Sequence, residues 1–289
     1  MTPKSVVNAL ESRFGVTGAP CQLSDAIERE LLDSGLTAAA AAEQADQLRK
    51  KIVAEVVRRL DEPDKMGGVA ILHLRGTQNE IVFGSCFVFG DDANPIKQSK
   101  LNRTSVSEIH NYIRMLSFGQ FEKFGRSVLR ELGCTTAKVT SHAGDQGIDF
   151  YGDLSVGSLM GANPAILKLM HETRVILVGQ AKHYPNSAIG PAIVRELVGA
   201  LALSRTYTYS RDDLDLLDDV KLRPFSPVLA LLFSTGDFTK GARHLANRAG
   251  LIAFSGWQLA VFLADKGVGL VEAGSQISFA PIKFDAWLE

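Results

Sequence analysis

The sequence predicts an α/β protein in which a mixed sheet is flanked by helices on both faces and follows a helix-rich N-terminal domain. Three observations lead to this fold class. Residues 1–65 carry the apolar periodicity of amphipathic helices. The second half alternates such helices with short, β-branched apolar runs typical of buried strands. From residue 117 the order is αβββαβαβα, with an αβββαβ core, and this order implies a mixed sheet.

Composition sets the broad class of the protein. The chain has 289 residues, of which 46% are apolar, so it can bury a substantial core. The net charge of −1 gives no global attraction to nucleic acid, so DNA binding would need a local basic surface. The three cysteines are far apart and lack metal-binding spacing, which indicates reduced, structural thiols. With no secretory signal and no run of about 18 apolar residues, we expect a soluble, cytoplasmic protein without membrane contact.

The N-terminal part, residues 1–100, is predicted to hold two helices and a strand pair. Residues 23–36 form the first helix, with Ser24 as its N-cap and its end marked by a glycine. Residues 37–63 form a long alanine-rich helix that stops before Pro63. Two apolar runs, 69–74 and 80–89, then predict paired strands.

The role of this N-terminal domain has two interpretations. A helix pair followed by strands is compatible with a winged-helix-like or other regulatory module that reads DNA. It is also compatible with a helical subdomain that packs on the catalytic part or forms a dimer contact. We place the domain boundary near residue 100, so that residues 101–289 form the second domain.

The second domain supplies the elements of the sheet in a regular order. The predicted helices are 117–133, 189–205, 238–250 and 256–267, and the predicted strands are 137–142, 148–152, 174–182, 227–235 and 251–255. Two irregular stretches, 153–173 and the acidic 211–219, are interpreted as surface insertions.

Polar residues interrupt two of the apolar strands and mark a candidate site. Asp149 stands between Ile148 and Phe150, just after a glycine turn. Gln180 and Lys182 end the apolar run 174–182 and, because side chains alternate along a strand, they share one face. Burying such groups unpaired costs several kcal/mol, roughly, so a ligand or partner is expected.

These residue types fit the hydrolysis of a phosphodiester. Mg²⁺ prefers oxygen ligands and keeps several waters, so one or two carboxylates, a backbone carbonyl and a substrate oxygen are sufficient to hold it. Lys182 can orient or help to deprotonate an attacking water and stabilise charge on the phosphate. Glu122 lies at the edge of the apolar face of helix 117–133 and could reach the sheet as a further ligand.

Each of these residues also has a purely structural interpretation. Asp149 could close a turn, Gln180 could bind backbone, and Lys182 could be a solvated strand end. Glu122 could simply favour the first turn of its helix through the helix dipole. Asp145 is interpreted as a turn residue. Histidine spacing does not fit a zinc hydrolase, and no serine-hydrolase, P-loop or dinucleotide motif stands in its usual context.

Residues 118–264 resemble the catalytic domain of the Mrr-type restriction endonucleases, within the PD-(D/E)xK nuclease superfamily. The resemblance covers about half of the chain and includes GDxGID followed by QxK, a fairly specific pair of motifs. It is carried by FEKFGRSVLRELG, SHAGDQGIDFYG, VGQAKHY and LLFSTGDFTKGARHLANRAGLIAF. It implies a restriction-endonuclease-like fold for this part.

The resemblance also implies roles for the candidate residues. Asp149 becomes a metal ligand, and Lys182 the catalytic lysine. Gln180 stands where most of the superfamily has Glu or Asp, so the site has less negative charge and would depend more on Glu122 and the Ala181 carbonyl.

Four further residues are candidate DNA contacts, because lysine, arginine, histidine and tyrosine commonly bind phosphates. They are His183, Tyr184, Lys138 and Arg195. For the two basic residues a solvated face explains the sequence as well, and for His183 and Tyr184 a capped strand end does.

The sequence thus predicts a Mg²⁺-dependent DNA endonuclease of the Mrr-like restriction class, with Mn²⁺ as a possible substitute, in defence against foreign DNA. Since one site cuts one strand, we expect a homodimer or higher oligomer. Two alternatives stay open: a repair-, junction- or RNA-directed nuclease on the same fold, and a nucleic-acid-binding protein that does not hydrolyse.

Overall fold

The computed structural model describes residues 1–66, 69–140, 147–155, 174–205, 227–274 and 276–289. Contacts divide the chain into two compact units. The first contains Met1–Ser107 and Val261–Phe279, and the second, which we call the sheet unit, contains Glu108–Ala260 and Ala280–Glu289. Within the described ranges no helix combines the length and apolar character needed to cross a membrane.

Three helices build the core of the first unit. They are α1 (Pro3–Phe14), α2 (Leu23–Asp33) and α3 (Ala38–Met66). A capping box between Thr2 and Ser5 begins α1. The apolar stripes of the three helices meet in one buried cluster, whose members include Val6, Leu10, Ile27, Leu31, Ile52 and Val56. Burial of these stripes stabilises the helices more than their intrinsic propensity does.

Two details of the first unit correct the sequence predictions. Helix α2 begins at Leu23 with Gln22 in the N-cap position, so Ser24 is not the cap. The start is set by Leu23, which is fully buried and whose N–H donates to the Glu80 carbonyl at 2.7 Å. Helix α3 does not stop before Pro63 but runs to Met66. Pro63 lacks a backbone N–H donor, yet it lies in the last turn of the helix, where few backbone hydrogen bonds follow it.

The predicted strand pair is present and has a third, shorter partner. Strands β2 (Leu72–Arg75) and β3 (Ile81–Gly84) pair in antiparallel register. Strand β1 (Cys21–Gln22) pairs with the other edge of β3, which gives the order β1-β3-β2.

Helix α4 (Asn94–Arg103) and a hairpin near the C-terminus complete the first unit. The hairpin strands are β9 (Leu270–Ala273) and β10 (Gln276–Phe279). Arg103 binds Asp265 through both its Nε (2.7 Å) and Nη2 (2.8 Å) atoms. This bidentate pair ties α4 to the C-terminal segment of the unit.

The sheet unit is organised around a five-stranded mixed sheet. Its order is β4-β5-β6-β7-β8. The strands are β4 (Thr136–Val139), β5 (Phe150–Ser155), β6 (Arg174–Lys182), β7 (Val228–Ser234) and β8 (Ile252–Phe254). Strands β4, β5 and β6 are antiparallel, whereas β6, β7 and β8 are parallel. The predicted mixed sheet and its αβββαβ core are confirmed.

Helices pack on both faces of this sheet: α6 (Phe118–Glu131) on one, and α7 (Pro191–Arg205) and α8 (Lys240–Ala249) on the other. The other helices in this part of the chain are α5 (Val106–Met115), α9 (Gly256–Asp265) and α10 (Pro281–Leu288). Phe150 packs toward α6, where a Cβ on Gly125 would lie 2.3 Å from its ring. Tyr151 belongs instead to the buried cluster that includes residues of α7 and α8. Alternation along β5 therefore separates the two faces.

All three cysteines are free, as the sequence predicted. Cys86 and Cys134 are buried, and burial raises the pKa of the Cys134 thiol to about 11. These two thiols are therefore neutral packing groups rather than nucleophiles. The insertion predicted at 153–173 begins too early, because residues 153–155 belong to strand β5. The rest of that stretch, the predicted insertion 211–219 and Asp145 lie outside the described residues.

Candidate active site

The candidate site lies where strands β5 and β6 diverge. Their ladder ends with Phe150 opposite Gly179, and Asp149 stands one residue before β5. The Asp149 N–H donates to the Gly179 carbonyl at 2.9 Å. One Asp149 carboxylate oxygen accepts a 2.7 Å hydrogen bond from the Ala181 N–H. The carboxylate is thereby fixed at the middle residue of the Gln180-Ala181-Lys182 segment.

Packing shows which face of the sheet each residue of this segment occupies. Val178 lies in the cluster under α7 and α8, whereas a Cβ on Gly179 would overlap the Phe150 ring on the α6 side. Continuing the alternation, Gln180 and Lys182 both lie on the face covered by α7; the sequence predicted that they share a face but not which one.

Gln180 is the most unusual member of the site. It is only 2% exposed, and its Oε1 atom has no hydrogen-bond partner in the described part of the chain. A Cβ on Gly147 would lie 3.3 Å from the Gln180 Nε2 atom, and Gly147 has a φ of +66°. The glycine of the GDQGID motif thus allows the chain to pass close to the amide. A buried amide oxygen without a donor is a ready ligand for a cation.

Lys182 forms an ion pair that the sequence analysis did not identify. Its Nζ atom lies 3.2 Å from the Glu196 Oε1 atom on α7, and its side chain is 22% exposed. The Lys182 carbonyl also accepts a 3.3 Å bond from the Thr235 N–H. A glutamate two turns into the next helix was the only available sign of this pair, and it became informative once α7 was packed on the sheet.

Glu122 is placed differently from the other predicted ligands. It is half-buried on α6, one turn before Gly125, and α6 packs on the face of the sheet that carries Phe150. Across the described ranges, no three His, Cys, Asp or Glu side chains are grouped so as to hold a metal ion. The candidate oxygen ligands at the strand ends are the Asp149 carboxylate, the Gln180 amide and the Ala181 carbonyl.

The predicted DNA contacts differ in exposure. Lys138 on β4 and Arg195 on α7 are exposed, and Tyr184 is 40% exposed. His183 is half-buried and lies against Phe118 at 5.0 Å between ring centroids. Its buried Nε2 atom has no hydrogen-bond partner among the described residues. Three of the four side chains are thus accessible to a nucleic acid.

Sequence comparison identifies the segment that contains this site. Residues 113–209 match the family model of the Mrr catalytic domain, described as a restriction endonuclease. This segment is therefore similar to the catalytic domain of the Mrr-type restriction endonucleases. The match includes Glu122, Asp149, Gln180 and Lys182, as well as Glu196. It confirms the resemblance that the sequence motifs indicated. No curated protein matches the chain.

Solved structures of restriction endonucleases are similar to the chain that carries this segment. MspJI in complex with a 27-mer oligonucleotide has 19% identity and a TM-score of 0.37, over 70% of this chain and 38% of that one. The modification-dependent AspBHI has 18% identity and a TM-score of 0.38, over 68% and 40%. FokI bound to DNA has 9% identity and a TM-score of 0.36, over 92% and 44%. The chain thus spans less than half the length of each.

Proposed function

We propose that this protein is a Mg²⁺-dependent DNA endonuclease of the Mrr-like restriction class, in which Mn²⁺ can substitute, and that it acts against foreign DNA. The observation that carries the proposal is the carboxylate of Asp149, held by the Ala181 N–H beside the buried, unpartnered amide oxygen of Gln180. The match of residues 113–209 to a restriction endonuclease supports the reaction class.

The oxygen atoms at the strand ends fit a hard divalent cation. Asp149, the Gln180 amide oxygen and the Ala181 carbonyl would hold it, with Glu122 as the proposed further carboxylate from α6. When bound, such a cation lowers the pKa of a coordinated water and offsets the charge of the phosphate. Because Gln180 is neutral, Asp149 is the one charged ligand that we propose at the ends of β5 and β6, and we expect the loss of activity on its removal to be severe.

The side chains of the protein supply the remaining tasks. The Lys182 ammonium orients the attacking water and stabilises negative charge that develops on the phosphate. Glu196 holds the Lys182 Nζ atom at 3.2 Å and so restricts its position. The exposed Lys138, Tyr184 and Arg195, with His183, bind the phosphates of the DNA strand.

The test is cleavage of supercoiled plasmid with Mg²⁺ or Mn²⁺. The isosteric change Asp149→Asn and the change Lys182→Met should each lower the rate about a hundredfold or more. Matched changes at exposed positions of α3, Asp46→Asn and Lys51→Met, should leave the rate unchanged. Undiminished cutting by both site variants would refute the assignment.

Three further measurements separate the parts of the proposal. Binding of Mn²⁺, followed by electron paramagnetic resonance, should be lost in Asp149→Asn and kept in Lys182→Met. The same measurement should show weaker Mn²⁺ binding in Glu122→Gln and unchanged Mn²⁺ binding in Glu196→Gln, since only the first removes a proposed metal ligand. Preference for branched DNA or RNA over linear duplex would contradict the restriction role, as would equal phage plating on cells that express the wild type or Lys182→Met.

A further inference from the structure

A cavity lies in the sheet unit, at the C-terminal ends of the parallel strands β6, β7 and β8. Its volume is about 520 Å³, which is in the range of small-molecule sites. Ligands of open α/β sheets commonly bind at this edge. The side chains that line it include His110, Arg114, Thr235, Asp237 and Trp257.

Thr235 gives this cavity a polar group that lacks a partner. The residue is fully buried, and its Oγ1 atom has no hydrogen-bond partner among the described residues. The neighbouring Ser234 hydroxyl, by contrast, accepts a 3.1 Å bond from the Gly236 N–H. Leaving a buried hydroxyl unpaired costs about 1–3 kcal/mol, and a ligand that binds it would remove that cost.

An aromatic wall lies in the same cavity. Trp257 is half-buried, and its ring contacts the His110 ring at 5.3 Å between centroids and 80° between planes. Burial lowers the pKa of His110, so the imidazole is neutral near pH 7. A neutral aromatic surface of this kind suits the flat face of a nucleobase.

The charges at the cavity favour an anion. Arg114 donates to the Pro185 carbonyl at 3.0 Å and to the Asn186 Oδ1 atom at 2.9 Å. Both acceptors are neutral, so they do not compensate its positive charge. Asp237, the acidic residue of the lining, is paired with Arg243 at 2.6 Å. The guanidinium of Arg114 is thus available to a phosphate.

The backbone that lines the cavity contacts the backbone of the candidate active site. Its wall begins at Pro185, three residues after Lys182, and the Thr235 N–H donates to the Lys182 carbonyl. A Cβ on Gly236 would lie 2.3 Å from the Tyr184 carbonyl oxygen, so the two backbones are in contact. A strand bound at Lys182 therefore has this cavity beside it.

We propose that the cavity binds one nucleotide of the DNA strand, with its base against Trp257, the Thr235 hydroxyl on the base edge and Arg114 toward a phosphate. The inference rests on the proposed function, since the nucleotide belongs to the strand that is cut. It adds to that function a local preference for the base next to the cleaved bond.

Tryptophan fluorescence tests the proposal directly, because the sequence contains only two tryptophans. Trp287→Phe leaves Trp257 as the only reporter. Titration of this variant with each of the four 5′-deoxynucleoside monophosphates, without metal, should give saturable quenching. Thr235→Val should weaken binding about tenfold, as expected for loss of one buried hydrogen bond. Thr135→Val, an exposed control in the same unit, should not.

Two additional measurements keep the result interpretable. Should Trp287→Phe not fold, ¹⁹F NMR of the 5-fluorotryptophan-labelled wild type follows the same two residues. Trp257→Leu should abolish the binding of a 2-aminopurine deoxynucleotide, detected through the emission of the analogue itself. Equal binding of deoxyribose 5-phosphate and the nucleotides, or no response of Trp257 to any nucleotide, would overturn the proposal.

The two proposals can fail separately. Nucleotide binding is measured without metal and in the Lys182→Met background, so it does not depend on cleavage. A wild type that binds nucleotides at Trp257 but never nicks DNA refutes the nuclease and keeps the cavity. A protein that nicks DNA with no effect of Thr235→Val on nucleotide affinity refutes the cavity alone.

Discussion

At Gln180, a neutral amide is buried where the wider superfamily has a carboxylate. Its oxygen has no hydrogen-bond partner in the described part of the chain, and the N–H of the next residue, Ala181, donates to the Asp149 carboxylate. Burying the amide oxygen without a donor is costly, and this cost is the local reason to expect a bound cation.

Gln180→Glu should bind metal more tightly but fold less stably without it. A second buried carboxylate raises the negative charge of the site and carries a desolvation penalty until a cation is bound. We expect about tenfold stronger Mn²⁺ binding, following the dependence of affinity on ligand charge. Melting temperatures with and without Mn²⁺ test this, with Gln276→Glu on the exposed β10 as control. Equal Mn²⁺ affinity in both proteins would contradict it.

Gly147→Ala should reduce both stability and cleavage. Its φ of +66° costs a non-glycine residue about 1–2 kcal/mol, and the new Cβ would stand 3.3 Å from the Gln180 amide nitrogen. Gly250→Ala is the matched control, because Gly250 has a φ of +74° with open space around it. Urea unfolding should show a lower free energy of unfolding in both variants. The rate of plasmid nicking should fall in Gly147→Ala alone. Full activity in Gly147→Ala would show that the amide position is unimportant.

Sequence reasoning could identify Asp149, Gln180 and Lys182 because polar residues interrupt apolar strands only where something satisfies them. Glu196 could not be identified in this way. Its ion pair with Lys182 depends on the rotation and docking of α7, which local periodicity does not determine. The orphaned hydroxyl of Thr235 has the same origin, since burial of a single threonine leaves no mark in the sequence.

Among the elements, the contact between α6 and the sheet depends on one aromatic ring between two glycines. A Cβ on Gly125 would lie 2.3 Å from the Phe150 ring, and one on Gly179 would lie 2.1 Å from it. Phe150 is fully buried and also contacts Phe233 at 5.0 Å between centroids. This packing sets the distance between the helix that carries Glu122 and the strand that follows Asp149.

Gly125→Ala should destabilise the protein even though alanine is the better helix former. The added methyl would force the Phe150 ring or α6 to move, at about 1–3 kcal/mol for overpacking. At Gly199 on α7, an added Cβ would have no atom within 4 Å outside its own helix backbone. Gly199→Ala should therefore stabilise the protein by up to about 1 kcal/mol. Chemical denaturation of the two variants compares them. A stabilising Gly125→Ala would mean that the ring is not confined.

The order of elements from α6 to α9 was predicted, as were α2, α3, β2 and β3, whereas helices α1, α4, α5 and α10 and the shortest strands were not. Strand β1 has two residues and the hairpin strands β9 and β10 have four each, too few for periodicity to distinguish them from loops. Their pairing comes from partners distant in sequence. Likewise, the preference of proline to end a helix did not predict where α3 ends, because the helix continues to Met66.

For the whole molecule, we propose that cutting both strands of DNA requires two copies of the chain. One chain presents one set of Asp149, Gln180 and Lys182, and a duplex has two strands of opposite direction. The net charge of −1 provides no general attraction to DNA, so binding would rely on local cations such as Arg195.

Mixing the wild type with an excess of Lys182→Met should therefore change the product of plasmid cleavage. Mixed dimers would cut one strand only, so nicked circles should accumulate at the expense of linear DNA. With the wild type alone, linear product should rise more steeply than in proportion to protein concentration. Linear DNA formed in proportion to the wild-type fraction would indicate that a monomer cuts both strands in turn.

The division of the chain has an evolutionary consequence. The backbone passes between the two units after Ser107, Ala260 and Phe279, because Val261–Phe279 belongs with the N-terminal residues. A gene fusion at any one of these points would leave one unit without part of its own chain. Exchange of the first unit as a whole would therefore require recombination at all three of these points.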